Sequence, residues 1–253
     1  VLQAEPALKS FGAQIFGGTF TSTDESGDAC VFTQELAKRC QTRGVQFLYE
    51  HDIHALQASG GKVGKVRVNS RQTGKPQDLD ADAFVAAMGS YTAQLLSPLG
   101  EHLNIYPAKG YSATLRLKDP ERASVVSLLD DTRKIAISRL GDHIRIAGTA
   151  ELAGYDLSLD NPTAKVRCAA LVKRYEQLFP GVADTREPNF WTGLRPSTPT
   201  NIPYIGRASR HSNLWLNAGH GTLGWTHGAG SGLALAELIS GRKPNLDFQF
   251  CGA

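Results

Sequence analysis

The spacing of apolar positions changes character several times along the chain. Between Cys30 and Arg43, Val31, Phe32, Leu36, Ala37 and Cys40 recur near helical spacing, and Gly44 supplies a residue that turns left-handed after the last turn. The stretch predicts a helix with a stop. Val45 to Tyr49 is a short β-rich run, His54 to Val68 predicts further strands around Gly60-Gly61 and Gly64, and Ala83 to Met88 is a continuous apolar run of the buried-strand type. These segments predict part of an α/β layer. Beyond Pro98, Tyr111 to Leu117, Ile135 to Ser138 and His143 to Ala147 alternate as strands, separated by Pro120 and Gly141 and with no helix between them. That pattern predicts an antiparallel sheet. Asn161-Pro162 is a cap followed by proline at the first helical position, and the helix Ala164 to Phe179 runs until Pro180-Gly181. From Phe190 onward the pattern is again α/β: a turn-rich segment, a strand over Asn213 to Asn217, a glycine-rich turn, and an apolar helix from about Gly230 to Ser240.

The reading is therefore an α/β (α+β) protein with a discontinuous α/β domain over residues 1–98 and 190–253, interrupted by an antiparallel-sheet domain over residues 99–189. Contact is expected between the strand Ala83 to Met88 and the segment Leu214 to Gly219. Neither an internal repeat nor a low-complexity tract is present.

Charge and composition then narrow the function classes. The 27 basic and 24 acidic residues, net +3, are spread along all 253 positions without a block of like charge, so a nucleic-acid footprint is not supported. No apolar stretch reaches the roughly 18 to 20 residues of a membrane span, and the opening VLQAEPALKS lacks the basic and apolar regions of a signal peptide. Cys30, Cys40, Cys168 and Cys251 are far apart, form no CxxC pair and have no His at zinc-ligand spacing, so neither a disulfide framework nor a metal site is expected. A cytoplasmic location follows, with peripheral attachment to the inner membrane as the alternative. The first residue is Val, and the chain reads as a fragment of a longer protein.

Two segments carry chemistry. Gly219-His220-Gly221-Thr222-Leu223-Gly224-Trp225-Thr226 lies between a strand and a helix and formally matches GxGxxG, with Asp247 about where an acidic ribose ligand is sought. A dinucleotide fold needs several more strand and helix units after that turn, so the match is a decoy. The P-loop pattern also fails, because Trp225 stands where the phosphate-binding Lys must be. What survives is a helix N-terminus preceded by glycines, suited to close approach of something flat or anionic, or equally to a tight structural turn. The second segment is Trp191-Thr192-Gly193-Leu194-Arg195-Pro196, followed by Thr198-Pro199 and Pro203-Tyr204-Ile205-Gly206. The planar fork of Arg195 suits a carboxylate, although taken alone it reads as a structural ion pair first.

Taken in order and spacing, GLRPSTPTNIPYIG, then NLWLNAGHGTLGWT, then a small-residue helix resembles the C-terminal signature of the D-amino acid oxidase superfamily of FAD-dependent oxidoreductases. GVQFLYEHDIHAL and FVAAMGSYT resemble that family's adenine-side strand and returning flavin-domain strand. TFTSTDESGDACVFTQELAKRC resembles its pre-helix segment, with Thr23 where a proline is more usual. Within the superfamily, YPAKGYSATL, ISRLGDHIRIAGTAE and GHGTLGWT are most similar to the small subunits of bacterial D-amino acid dehydrogenases. The family opens with a βαβ unit carrying GxGxxG for the FAD diphosphate, and no such unit precedes Val1.

The resemblance implies a truncated FAD/NAD(P)-binding-type domain with an inserted antiparallel-sheet substrate domain. It implies that Arg195 pairs with an amino acid carboxylate and that Tyr111, in the sheet, roofs the substrate pocket. Ile53 matches the position whose backbone meets adenine. Ala87, Met88 and Gly89 match the turn near the cofactor's diphosphate, and Gly219 to Thr226 would lie along the flavin ring. His220 is assigned to turn shape or flavin contact rather than to a general base, because in this family the α-hydrogen leaves as hydride and the amine need only be neutral. The implied reaction is oxidation of a D-amino acid, with D-alanine the default, to an imino acid that hydrolyses to a 2-oxo acid and ammonia. FAD is expected in the full-length enzyme and absent from this fragment, and a quinone or respiratory-chain component is the expected acceptor. Two alternatives stand beside it: a glycine- or sarcosine-type oxidase that uses oxygen, and a non-catalytic α/β module that binds a nucleotide or other anion through the glycine turn.

Overall fold

In the computed structural model, which describes residues 1–252, the chain forms eleven strands and four α-helices, besides short 3₁₀ turns. In chain order these are α1 (Ala29–Gln41), β1 (His51–Ser59), β2 (Lys62–Ser70), β3 (Pro76–Asp80), β4 (Phe84–Ala86), α2 (Thr92–Leu96) and β5 (Tyr106–Arg116). They continue with β6 (Leu128–Asp130), β7 (Ile135–Leu140), β8 (His143–Glu151), α3 (Pro162–Leu178), β9 (Asn189–Ser197), β10 (Tyr204–Arg207), β11 (Leu214–Ala218) and α4 (Gly224–Ile239). Two compact units result: Val1–Ala37 with Ala108–Leu194, and Lys38–Pro107 with the chain from Arg195 onward.

The first unit is built on alternation. Residues 111, 113 and 115 of β5, 135 and 137 of β7 and 144 and 146 of β8 are apolar and buried on one face of a five-stranded sheet ordered β6-β7-β8-β5-β9. Helix α3 covers that face with Ala164, Cys168, Leu171, Tyr175 and Leu178, a stripe at spacings of three and four that places every member on one side. Each large aliphatic side chain buried in this way contributes about 1.5 to 3 kcal/mol. The helix begins where Asn161 Oδ1 accepts the Ala164 N–H at 2.8 Å, with Pro162 in the first turn, and it closes before Gly181. Beneath Val125 and Val126, Glu5 is buried and accepts their backbone N–H groups at 2.7 and 3.0 Å, with Ala7 N–H as a third donor. Its carboxyl oxygens thus satisfy three backbone donors.

The second unit holds two three-stranded sheets. One is an antiparallel meander, β1-β2-β3, whose first turn is Gly60-Gly61 with both φ angles positive, as a two-residue hairpin turn demands. The other is ordered β10-β11-β4, with β11 antiparallel to β10 and parallel to β4, pairing Leu214 with Phe84 and Leu216 with Ala86. The expected contact between these segments is therefore present. Asn213 ties the two sheets together: its Oδ1 accepts from Val63 N–H at 2.9 Å and its Nδ2 donates to Val63 C=O at 2.8 Å.

Several local expectations require correction. Val45 to Tyr49 is not a strand; it pairs with no neighbour among the described residues, and β1 starts at His51. Gly64 lies within β2 as the unpaired residue of a bulge, where the register passes from Gln57↔Lys65 to Ala58↔Val63. The supposed turn-rich segment after Phe190 contains β9 and β10, and α4 begins at Gly224, six residues before the expected Gly230. In that helix the glycines cost propensity but do not stop the turns, since packing of Ser231, Ala234 and Leu235 anchors it.

A buried carboxylate also pins the second unit. Glu101 is 2% exposed and accepts from Ser209 N–H and Oγ, Arg210 N–H and His211 Nδ1, at 2.7 to 3.1 Å. Burial alone would raise its pKa, but the hydrogen bonds from Ser209, His211 and the Arg210 and Ser209 backbone outweigh it and hold the carboxyl below its ordinary value near 4.5. The ionised form is therefore favoured by folding: the stabilisation is complete above the ordinary value and is lost as pH falls through the lower folded value. Glu101→Gln is expected to cost about 2 to 3 kcal/mol at pH 7. The loss should shrink as pH falls below about 4.5. Denaturant unfolding of both proteins between pH 3 and 7 measures this, and a pH-independent difference would remove the linkage.

Candidate functional site

Strands β4 and β11 run parallel, so their carboxyl ends leave the sheet on the same side, the place where open α/β sheets bind ligands. From β4 the chain enters Ala87-Met88-Gly89, where Gly89 has φ +55° and the Met88 N–H donates to Thr92 Oγ1 at 3.1 Å. From β11 it enters Gly219-His220-Gly221, with φ +86° at Gly219 and +55° at Gly221, and then a 3₁₀ turn over Gly221–Leu223 that opens α4. At Gly219 a Cβ would stand 2.9 Å from the Thr198 methyl, so both backbone angle and space require glycine there. The sequence-predicted turns are thus brought together at one sheet end.

Helix α4 is 16 residues long and has no side-chain cap, so its first N–H groups and positive dipole end face outward from the glycine turn. Within the turn, His220 Nε2 and, one residue before Ala218, Asn217 Oδ1 are enclosed atoms without a hydrogen-bond partner among the described residues. Burial, and secondarily His227, lowers the His220 pKa, so its imidazole is neutral at pH 7. Thr222 and Leu223 lie in the 3₁₀ turn; Leu223 and Trp225 expose large apolar surface, and Thr226 follows in α4.

Arg195 lies in the same compact unit as these turns, near the end of β9. It is partly buried, and burial pulls its guanidinium below the ordinary value; it remains a cation at neutral pH. Ile53 lies in β1 of the meander and is 41% exposed. It lines an apolar hollow of about 330 Å³ with Leu48, Val66, Val68, Leu79 and Phe84.

Tyr111 belongs to the other unit. It is 1% exposed inside the core under α3, and its hydroxyl donates to Glu151. Burial, then the Glu151 bond and charge, push its pKa well above the ordinary value, so it stays protonated. Lys109, wholly buried, stands 5.4 Å from the Tyr111 ring and donates to the Ser158 carbonyl at 2.7 Å. Sequence reasoning did not identify Glu151, Lys109 or Asn217. The alternation of β5 was a usable signal for Lys109, since it shares parity with Tyr111, but no local pattern marks Glu151 or Asn217.

Among the described residues no group of three or more His, Cys, Asp or Glu side chains is placed to hold a metal ion, and no helix is long and apolar enough to cross a membrane.

A family model described as FAD dependent oxidoreductase (DAO) matches residues 1–238. The chain is 51% identical over 249 residues to a D-amino acid dehydrogenase of Dechloromonas aromatica, covering 98% of this chain and 58% of that protein. It is 48% identical over 245 residues to a D-amino acid dehydrogenase of Methylobacterium nodulans, covering 97% and 56%. The chain therefore spans somewhat over half the length of these relatives. Among solved structures it is similar to glycine oxidase from Bacillus cereus, with TM-score 0.68, 22% identity and coverage of 84% of this chain and 56% of that one. It is also similar to L-proline dehydrogenase from P. horikoshii, with TM-score 0.70, 16% identity and coverage of 85% and 56%. At such identities these structures support the fold alone.

Proposed function

Since the chain belongs to the FAD dependent oxidoreductase family, we propose that it forms the larger part of a flavoenzyme that oxidises D-amino acids to 2-oxo acids and ammonia. The likeness to D-amino acid dehydrogenases over nearly its whole length carries this reading. D-Alanine is the assigned substrate, and a quinone or other respiratory-chain component the assigned acceptor. In this reading the flavin-side domain is assigned to residues 1–98 and 190–253 and the substrate-side domain to residues 99–189, although residues 1–37 and 190–194 pack in the compact unit of the five-stranded sheet and residues 99–107 in the other.

The residues present suit FAD. The unpartnered His220 Nε2 and Asn217 Oδ1, the uncapped start of α4 and the two glycine turns at one sheet end offer polar and dipolar groups to a flat, partly anionic molecule. Gly219 to Thr226 would face the isoalloxazine ring, Ala87, Met88 and Gly89 the diphosphate side, and Ile53 the adenine. When bound, FAD supplies the hydride acceptor.

The chain's own residues bind and orient. Arg195 holds the substrate carboxylate in a charge-assisted fork, which fixes the α-carbon for transfer. The N–H groups and dipole at the start of α4 stabilise negative charge beside them without rearranging during the reaction. His220 is neutral and serves as a hydrogen-bonding group of the turn, while Tyr111 braces the sheet through Glu151.

Anaerobic addition of D-alanine to the flavin-loaded full-length protein is expected to bleach the flavin absorbance, and a quinone to restore it faster than oxygen does. Faster reoxidation by oxygen would favour the glycine- or sarcosine-type alternative. A protein that takes up no flavin, or whose flavin ignores D-amino acids, would sink the reading. Expressed by itself, the 253-residue chain is expected to hold FAD weakly, since it spans only 58% of the length of the Dechloromonas aromatica relative, and the flavin absorbance of the purified chain tests this.

A further inference from the structure

The five-stranded sheet of the first unit has a second face, opposite the one packed against α3, and its chemistry differs. Alternation places Ser112 and Thr114 of β5, Ser138 of β7 and Arg145 of β8 on that face; Arg145 is directly paired with Thr114 on one side and with Ser138 on the other. Arg145 thus stands in a row of hydroxyls. Its Nη2 donates to Ser112 Oγ at 3.0 Å, and Ser112 is 2% exposed, so the guanidinium is anchored at one corner by a buried group. Its Cζ lies over the Trp191 ring, 5.5 Å from the centroid, while Trp191 remains 57% exposed.

Two further observations make this an arrangement built for a ligand rather than a resolved ion pair. Arg145 has no carboxylate partner among the described residues, whereas Arg167, Arg174 and Arg186 of the same unit each have one. Positions 112, 114, 116, 136, 138, 140, 143, 145 and 147, which share the face, include no Asp or Glu. Second, Trp191 lies flat along its own strand because residue 193 is glycine: a Cβ there would stand 2.2 Å from the Trp191 ring. A cation stacked on an indole, with most of its donors uncommitted and hydroxyls on either side, matches a planar anion.

We propose that Arg145, Ser112 and Trp191 form a binding site for a small carboxylate such as a 2-oxo acid. The guanidinium fork takes the carboxylate, the neighbouring hydroxyls donate to it, and the exposed indole covers the carbon adjoining it. One fork and one indole suit a flat monoanion better than a phosphate, whose tetrahedral dianion calls for more than one cation within reach. The site stands on the geometry of the sheet and does not depend on the flavin reading.

The test uses the full-length protein carrying Arg195→Gln, so that binding at the proposed substrate clamp does not contribute. Titration with pyruvate is followed by the Trp191 indole N–H resonance, assigned by its disappearance in Trp191→Phe. A saturable shift is expected. Adding Arg145→Gln should weaken it at least about 10-fold, and Ser112→Ala by a smaller factor, with melting temperatures unchanged. No shift of the resonance overturns the proposal, as does an affinity that Arg145→Gln leaves intact or a response to inorganic phosphate but not to pyruvate. If Arg145→Gln fails to fold, Ser112→Ala decides, and an unchanged dissociation constant in that variant overturns the proposal equally. Absence of D-alanine oxidation in the full-length protein with Arg195 intact, while this shift is retained, separates failure of the flavin reading from failure of the site.

Discussion

Arg195→Ala in the flavin-loaded full-length protein is expected to lower kcat/KM for D-alanine at least about 30-fold, with flavin content near normal. Removing one partner of a buried, hydrogen-bonded charge pair costs about 2 to 5 kcal/mol, and the lower end of that range already gives the stated factor. Arg195→Lys keeps the charge and loses the fork, so it should recover only part of the loss. Arg195 is partly buried and burial disfavours its charge, which makes a structural ion pair the competing explanation. That explanation forecasts a lower melting temperature and a folded fraction with normal kinetics. Rates of the reductive half-reaction per bound flavin, measured beside melting curves, distinguish the two, and unchanged rates would remove Arg195 from the substrate site.

Gly206→Ala is expected to destabilise the second unit by about 2 to 4 kcal/mol, the largest effect anticipated from a single added methyl group. Gly206 has φ +131°, a region nearly closed to other residues, and a Cβ there would stand 2.3 Å from the Cys251 carbonyl oxygen. Backbone cannot swing aside as a side chain would. The clash falls on the bridge in which Arg207 N–H donates to Cys251 C=O at 2.9 Å and Cys251 N–H donates to Ile205 C=O at 2.8 Å. The chain around Cys251 should therefore detach, and its amides should exchange with solvent faster in the variant. A melting temperature within a degree or so of the parent's would refute the argument.

What was legible in the sequence was local and repetitive. The stripe from Ala164 to Leu178 and the alternation of β5, β7 and β8 each repeat one face of one element, so their burial follows from period alone. Pairing is different. Val45 to Tyr49 has the composition of a strand, but composition supplies no partner, and the run stays unpaired among the described residues. β9 was concealed by Gly193 and Pro196, whose propensities argue for turns, although pairing at the edge of a sheet overrides them. The glycine turn was visible as a helix start with close approach, while the enclosed atoms of His220 and Asn217 depend on neighbours distant in sequence. The buried acids Glu5 and Glu101 are of the same kind. Each is a carboxylic side chain, and a sequence reading places such residues at the surface unless a ring of donors, brought in by tertiary structure, makes room for them.

The parallel pairing of β4 with β11 has a consequence for how the chain is made. Asn213 reaches the Asp82 carbonyl across 131 positions of sequence, and the Phe84–Leu214 pairing spans a similar separation. During synthesis, β4 leaves the ribosome long before its neighbour exists, so its hydrogen-bonding edge and the apolar side chains of Phe84 and Ala86 must wait through translation of Ala108–Leu194, the larger part of the first unit. Strands β5 to β8 of that unit pair across far shorter separations and can form during that interval. Slow decoding between β9 and β11 would lengthen the exposure of β4, and a chain released before Ala218 would present a folded first unit attached to a second that has nothing to complete it, a natural target for chaperones and proteases.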